Sequence, residues 1–170
     1  SSAASSAWGS VVHIWNGAVN WLPGGEHGIE LRSLFEIMKS EARMKTGLVT
    51  TASITHATPA GFAICHNSRD EEWVIAEKYL ALAPDILMGG GDKFFAADKR
   101  KDKVDLYSKF TAAGYSVARN LGAMDAASGN KRLLGIFSSG HMPYTVDQNH
   151  DPNLAALTPT LAQMALKAMK

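Results

Sequence analysis

Apolar positions fall into two kinds of pattern along this chain, short continuous runs and stripes repeating every three to four residues. Ile29, Leu31, Leu34, Phe35, Ile37, Met38 and Ala42 recur at helical spacing. Glu30, Arg32, Glu36 and Lys39 lie mostly off that face, which predicts a helix ending near Lys45 and Gly47. Leu48 to Ser53 is a compact run containing Thr and Val, and reads as a buried strand. Asp70 to Ala83 predicts a second helix, with Trp73, Ala76, Leu80 and Ala83 inward, Tyr79 at the edge, and Pro84 as the stop.

Asp85 to Met88 then reads as a short buried strand, ended by Gly89, Gly90 and Gly91. The glycines predict a tight turn with unusual backbone angles and close approach. A phosphate-binding loop would need longer spacing and a Ser or Thr after Lys93, where Phe94 stands. A helix over Val104 to Ala113, a strand over Tyr115 to Ala118 and a loose connection over Leu121 to Asn130 follow. Leu133 to Phe137 predicts another strand. From Thr158-Pro159 a last helix runs with Leu161, Met164, Ala165, Ala168 and Met169 on one face. Helices alternating with short apolar strands predict an α/β fold, a sandwich around a central, mostly parallel sheet.

Composition changes this picture little. Apolar residues are 46% of the 170 and charged residues 19%, as in a globular domain, and a net charge of +1 gives no preference for nucleic acid or membrane. Lys99 to Lys103 is a charge run without interleaved aromatics, and reads as a solvated entry to a helix. The lone Cys65 rules out an intrachain disulfide framework and reads as a buried, idle thiol. No apolar run reaches the roughly 20 residues that cross a bilayer, and no signal peptide is visible at the start. Three tryptophans between Trp8 and Trp21 are expected to pack inside, since no basic patch accompanies them.

The densest chemistry lies just beyond the predicted strand at Leu48 to Ser53. Thr55, His56, Thr58, His66, Ser68 and Arg69 follow within sixteen residues of Ser53. Open α/β sheets hold ligands beyond the carboxyl ends of their strands. Thr oxygens suit a hard cation, an imidazole suits a metal or a water, and an Arg fork suits phosphate or carboxylate. Each residue also has a plain structural reading. A His after a strand is commonly a hydrogen-bonded cap, and Arg69 is followed by Asp70, Glu71 and Glu72, which would neutralise it at a helix start.

THATPAGF at Thr55 to Phe62, with Arg69 eleven residues after Thr58, resembles a block of the alkaline phosphatases. The likeness extends to SAAS at Ser2 to Ser5, NGA at Asn16 to Ala18, LMGGGDKFF at Leu87 to Phe95, LLGIFSSGHMP at Leu133 to Pro143, and TPTLAQMALKAM at Thr158 to Met169. It implies an alkaline-phosphatase-like three-layer sandwich, incomplete in this chain, with residues 1–170 as the central portion of one catalytic domain. It further implies a periplasmic or secreted phosphomonoesterase that forms a phosphoserine intermediate, releases inorganic phosphate and works as a homodimer when complete.

By the same resemblance Arg69 clamps the phosphate, and Thr58 supplies an oxygen to a magnesium-type site. His56 is a ligand of that site or stands beside it, and His66 faces the substrate entrance. Alignment through SAAS makes Ser2 the nucleophile, at the cost of a one-residue gap before Trp8, and is preferred; gap-free alignment from Trp8 makes it Ser1. His141 and Tyr144 are expected to be structural. Asp147, His150 and Asp151 have metal-like spacing but fall outside the family's ligands. The family also uses zinc, and one Thr with one His is too poor a set to hold it. The 170 residues alone are therefore expected to show no appreciable turnover. The alternative is a non-catalytic segment that keeps the scaffold and binds a phosphate or a protein.

Overall fold

The computed structural model describes residues 2–127, 129 and 131–169. The chain divides into two compact units, Ser1–Thr46 with Thr55–Pro84, and Gly47–Ile54 with Asp85–Lys170.

In the first unit, α1 (Ser2–Ser10), α2 (Leu34–Ser40), α3 (Ala57–Ala63) and α4 (Glu72–Leu82) accompany a short antiparallel pair, β1 (Trp21–Leu22) and β2 (Ile29–Glu30). Serine and glycine make α1 a weak helix by propensity, so its stability must come from packing. The small residues supply it. A Cβ on Gly9 would sit 1.8 Å from the Gly61 carbonyl oxygen, and one on Gly61 would sit 2.4 Å from Ser5 Oγ. The backbones of α1 and α3 therefore meet directly. Ser5 donates to the Ala57 carbonyl at 2.8 Å, across this contact.

Asn20 completes the junction. Its side-chain amide donates to the carbonyls of Gly61 and Ile64 at 2.8 and 2.7 Å, and its backbone N–H donates to Ser6 Oγ at 2.9 Å. Asn20 has φ 47°, a left-handed conformation that Asn tolerates better than most residues.

Several expectations are corrected here. The helix predicted from Ile29 begins only at Leu34, because Ser33 and Glu36 close a capping box at that point and Ile29–Glu30 pair with Trp21–Leu22 instead. Along α4 the buried residues are Ile75, Ala76 and Tyr79, so Tyr79 is the centre of the stripe and Trp73 is 41% exposed. Trp8 and Trp15 are 70% and 54% exposed, while Ile14, Ala18 and Val19 take the interior places.

The second unit is built on a four-stranded parallel sheet ordered β3-β4-β6-β5, with β3 (Gly47–Ser53), β4 (Ile86–Gly90), β5 (Tyr115–Ala118) and β6 (Arg132–Ile136). One row crosses the whole sheet, Leu48 beside Leu87, Leu87 beside Leu134, and Leu134 beside Val117. Leu87 and Leu134 are fully buried, so the apolar strand pattern marks the sheet's centre. β3 lies at an edge among the described residues, and most of its residues are only partly buried, against the expectation of a buried strand. β4 runs through two of the three glycines. A Cβ on Gly90 would lie 1.9 Å from the Gly140 carbonyl oxygen, and Gly91 has φ 108°, as the close-approach reading expects.

Helices α5 (Leu106–Ala112) and α6 (Leu121–Ala126) pack by β5, α7 (Thr145–His150) and α8 (Pro152–Leu157) pack together, and α9 (Leu161–Ala168) packs on β3. The connection at Leu121 to Asn130 is therefore partly helical. Asn120 caps it, accepting from Ala123 N at 2.8 Å. The stretch around Asp147 to Asp151 is helical too, with Asp151 capping α8. On α9 only Met164 is fully covered, and Leu161 is exposed. Ser53 N donates to His141 Nδ1 at 2.8 Å, which gives His141 a structural place.

The α1–α3 contact predicts that Gly9→Ala destabilises the protein by about 1–3 kcal/mol, because backbone must move to admit the methyl group. Urea unfolding measures this. An unchanged midpoint would mean that the helices tolerate separation.

Candidate active site

Every described residue singled out by the sequence for catalysis or phosphate binding lies in the first unit; Ser1 lies outside the described residues. His56 is the cap residue of α3. Its Nδ1 faces the Thr58 N–H at 3.4 Å, and its Nε2 lies 3.1 Å from a terminal nitrogen of Arg69. A neutral imidazole has one lone pair, so these two donors compete and the shorter Arg69 contact has the better claim. Thr58, in the first turn of α3, is exposed.

Gly17 joins Arg69 to α1. The Arg69 N–H donates to the Gly17 carbonyl at 2.8 Å, and the Gly17 N–H donates to Ser2 Oγ at 3.2 Å. Ser2 donates in turn to Asn16 Oδ1 at 2.9 Å and is fully buried. A serine, an arginine, an imidazole and a threonine far apart in the sequence thus hang on one short hydrogen-bonded frame.

The acids after Arg69 also serve other groups. Glu71 accepts from or pairs with His66 Nε2 at 2.7 Å, and Glu72 accepts from the buried Thr55 hydroxyl at 2.6 Å. Asp70 approaches Arg69 only to 3.8 Å, from a fully solvated position. Glu71 and Glu72 therefore tie down the loop from Thr55 to His66. His66, expected at the substrate entrance, has its side chain 13% exposed and set against Glu71, while its backbone pairs with Val19.

Sequence reasoning did not find Asn16, Gly17, Asn20, Glu71 or Glu72 as the frame. Their bonds span up to 44 residues, and none belongs to a local motif. NGA, within the family likeness, was the one available signal.

Metal fit follows from the donor set. Among the described residues no three His, Cys, Asp or Glu side chains converge as a metal site. His56 has both ring nitrogens facing protein donors. These residues do not fit zinc, and Thr58 fits the role of a single oxygen ligand to a hard cation.

A sequence model of the family described as Alkaline phosphatase matches residues 1–170. The chain belongs to the alkaline phosphatase family. It is 33% identical over 167 residues to alkaline phosphatase 3 of Bacillus subtilis, covering 94% of this chain and 34% of that protein. Its structure resembles the crystal structure of Thermus thermophilus alkaline phosphatase with a TM-score of 0.90 and 39% identity, over 99% of this chain and 34% of that one. A TAB5 alkaline phosphatase variant with Mg bound in its M3 site matches at TM-score 0.79 and 26% identity, over 99% of this chain and 46% of that one. The chain thus has the family's α/β fold and spans about a third of the length of the curated relatives it matches. Among the described residues no helix is long and apolar enough to cross a membrane.

Cys65 is no part of this chemistry. Burial pushes its thiol up to about 11, despite its hydrogen bond partners, and Sγ donates to the Asn20 carbonyl at 2.8 Å. The unfolded thiol ionises near 9 and the folded one near 11, so between these values only the unfolded state loses the proton. Stability should therefore fall as pH rises through that window in the native protein, and Cys65→Ala should lose this component. Native Cys65 should also resist an aromatic disulfide reagent at pH 8 and react on unfolding.

Proposed function

We propose that residues 1–170 are the central part of one catalytic domain of an alkaline-phosphatase-type enzyme that hydrolyses phosphate monoesters through a phosphoserine. The observation that carries this is the Gly17 bridge, which fixes the start of α1 against Arg69. Arg69 grips the non-bridging oxygens of the ester and offsets the charge that grows on the phosphoryl group. Backbone N–H groups at the start of α1 point to the same kind of anion.

In the first step a serine oxygen bonds to phosphorus as the bridging oxygen leaves with the alcohol. Water then displaces the serine, and inorganic phosphate is released. An N–H donated to the serine oxygen, as Gly17 donates to Ser2, favours the oxygen's anionic form. Ser2 is the preferred nucleophile by the SAAS alignment. Its burial and its bond to Asn16 favour the alternative, Ser1, with Ser2 then holding the helix start in register.

Zinc and magnesium are the metals expected in the complete enzyme, where they supply Lewis-acid chemistry. Thr58 is proposed to give one oxygen to the magnesium-type ion, and His56 to stand beside it, holding Arg69. The Mg-bound TAB5 variant supports a magnesium-type ion in the complete enzyme. The remaining ligands belong to residues outside these 170, so the segment alone is expected to be inactive. The family likeness likewise supports a homodimer in the periplasm or outside the cell.

In the full-length protein, Arg69→Ala should lower kcat/KM for an aryl phosphate by about 10²–10³, and Arg69→Lys should not restore it fully. Retained activity in Arg69→Ala would overturn the clamp. Ser1→Ala and Ser2→Ala, each assayed by mass spectrometry for trapped phosphoserine, assign the nucleophile. Only one should abolish the adduct, and loss in neither would overturn the covalent route.

A further inference from the structure

The carboxyl ends of β4, β5 and β6 in the second unit carry a charged cluster that the site above does not use. Asp92, two residues past β4, is only 5% exposed. Its Oδ1 accepts from the Tyr107 hydroxyl at 2.6 Å and from Arg119 at 2.7 Å, and its Oδ2 accepts from Lys99. Burial alone would raise the Asp92 carboxyl. The donors from Lys99 and Tyr107 and the Arg119 charge instead hold it below its ordinary value, so it is ionised at neutral pH. Two cations therefore share the Asp92 carboxylate, and Arg119 also lies in the field of the Asp105 carboxylate.

Arg119 is the cation more on the solvent side. Arg119 stacks on the Tyr107 ring at 4.9 Å, and its side chain is 56% exposed. It borders two hollows. One, of 400 Å³, is also lined by Asp98 and Asp105, whose carboxylates oppose an anion. The other, of 150 Å³, is lined by Asp92, Arg119, Ser138 and Ser139, with Ile136 and Phe137 behind them. Asp92 already accepts from three donors on its two oxygens. Ser138 Oγ is committed to the Gly140 and His141 carbonyls, whereas Ser139 is exposed at the mouth. A guanidinium has five N–H donors, and Arg119, stacked on Tyr107 and half exposed, lines this hollow. An ion pair serving structure alone needs only one cation for Asp92, and the second is placed where carboxyl ends of parallel strands commonly seat ligands.

We infer that the smaller hollow is a binding site for a small oxyanion of phosphate size, held by the guanidinium edge of Arg119 and the hydroxyl of Ser139. It shares no residue with the proposed Arg69 clamp, since all its residues belong to the second unit.

Isothermal titration of inorganic phosphate into the protein carrying Arg69→Ala tests this, because that change removes the proposed clamp and leaves the Arg119 site. One phosphate should still bind. Adding Arg119→Ala should weaken it by about tenfold or more, as loss of a charged hydrogen bond does. Ser139→Asp, an exposed change that leaves the Asp92 bonds intact, should weaken it at least as much by repulsion. This variant decides the matter should Arg119→Ala fail to fold. Absence of phosphate binding in the Arg69→Ala protein, or binding indifferent to Ser139→Asp, overturns the site and leaves the Arg69 reading to its own assay.

Discussion

The direct backbone contact between α1 and α3 is the constraint on which the first unit depends. A short helix of Ser, Ala and Gly has little intrinsic stability, and it cannot bury a broad apolar stripe. It gains its place by approaching α3 so closely that Gly9 and Gly61 leave no room for a methyl group. At that distance the Ser5 hydroxyl reaches the Ala57 carbonyl of the other helix, and Asn20 spans the carbonyls at the end of α3. The loop from Asn16 to Asn20 is thereby fixed, and with it the Gly17 amide and carbonyl that touch Ser2 and Arg69. Packing and candidate chemistry are the same set of bonds here.

A second economy lies in the acidic run after Arg69. Three acids beside one arginine would ordinarily cancel it in a solvated cluster. Here Glu71 turns to His66 and Glu72 turns to Thr55, so the negative charges brace the loop that carries His56 and Thr58. Arg69 also reaches the imidazole of His56. The same contact also explains why His56 suits a supporting role better than direct ligation.

The second unit solves a different problem with the opposite arrangement. Its sheet is centred on fully buried strands, where leucines from three neighbouring strands lie in one row. Past the strand ends, Asp92 is withdrawn from water and must be paired, and donors from the chain segments around α5 and after β5 converge on it. Close glycine packing at Gly90 brings the loop after β6 against the end of β4. The same steric logic recurs in both units, with glycine admitting backbone where a polar group must be reached.

Much of the fold was legible along the chain. The strands at Leu48, Leu87, Tyr115 and Leu133 announced themselves as short apolar runs, and Pro84 and Gly114 marked real ends, because local sterics and continuous apolar runs are written in adjacent residues. So were Thr58 and Arg69 as candidates, through a motif of fixed spacing. Tertiary structure alone decided which face of α4 is buried, that Trp8 and Trp15 are exposed, and that the polar stretch around Asp147 is helical. It alone set Glu71 on His66 and Glu72 on Thr55, placed Ser2 on Asn16, and gathered Asp92, Tyr107 and Arg119. Each of these depends on a contact between distant segments, and a hydrogen bond or a buried face has no sequence signature until the partner that satisfies or covers it is in place.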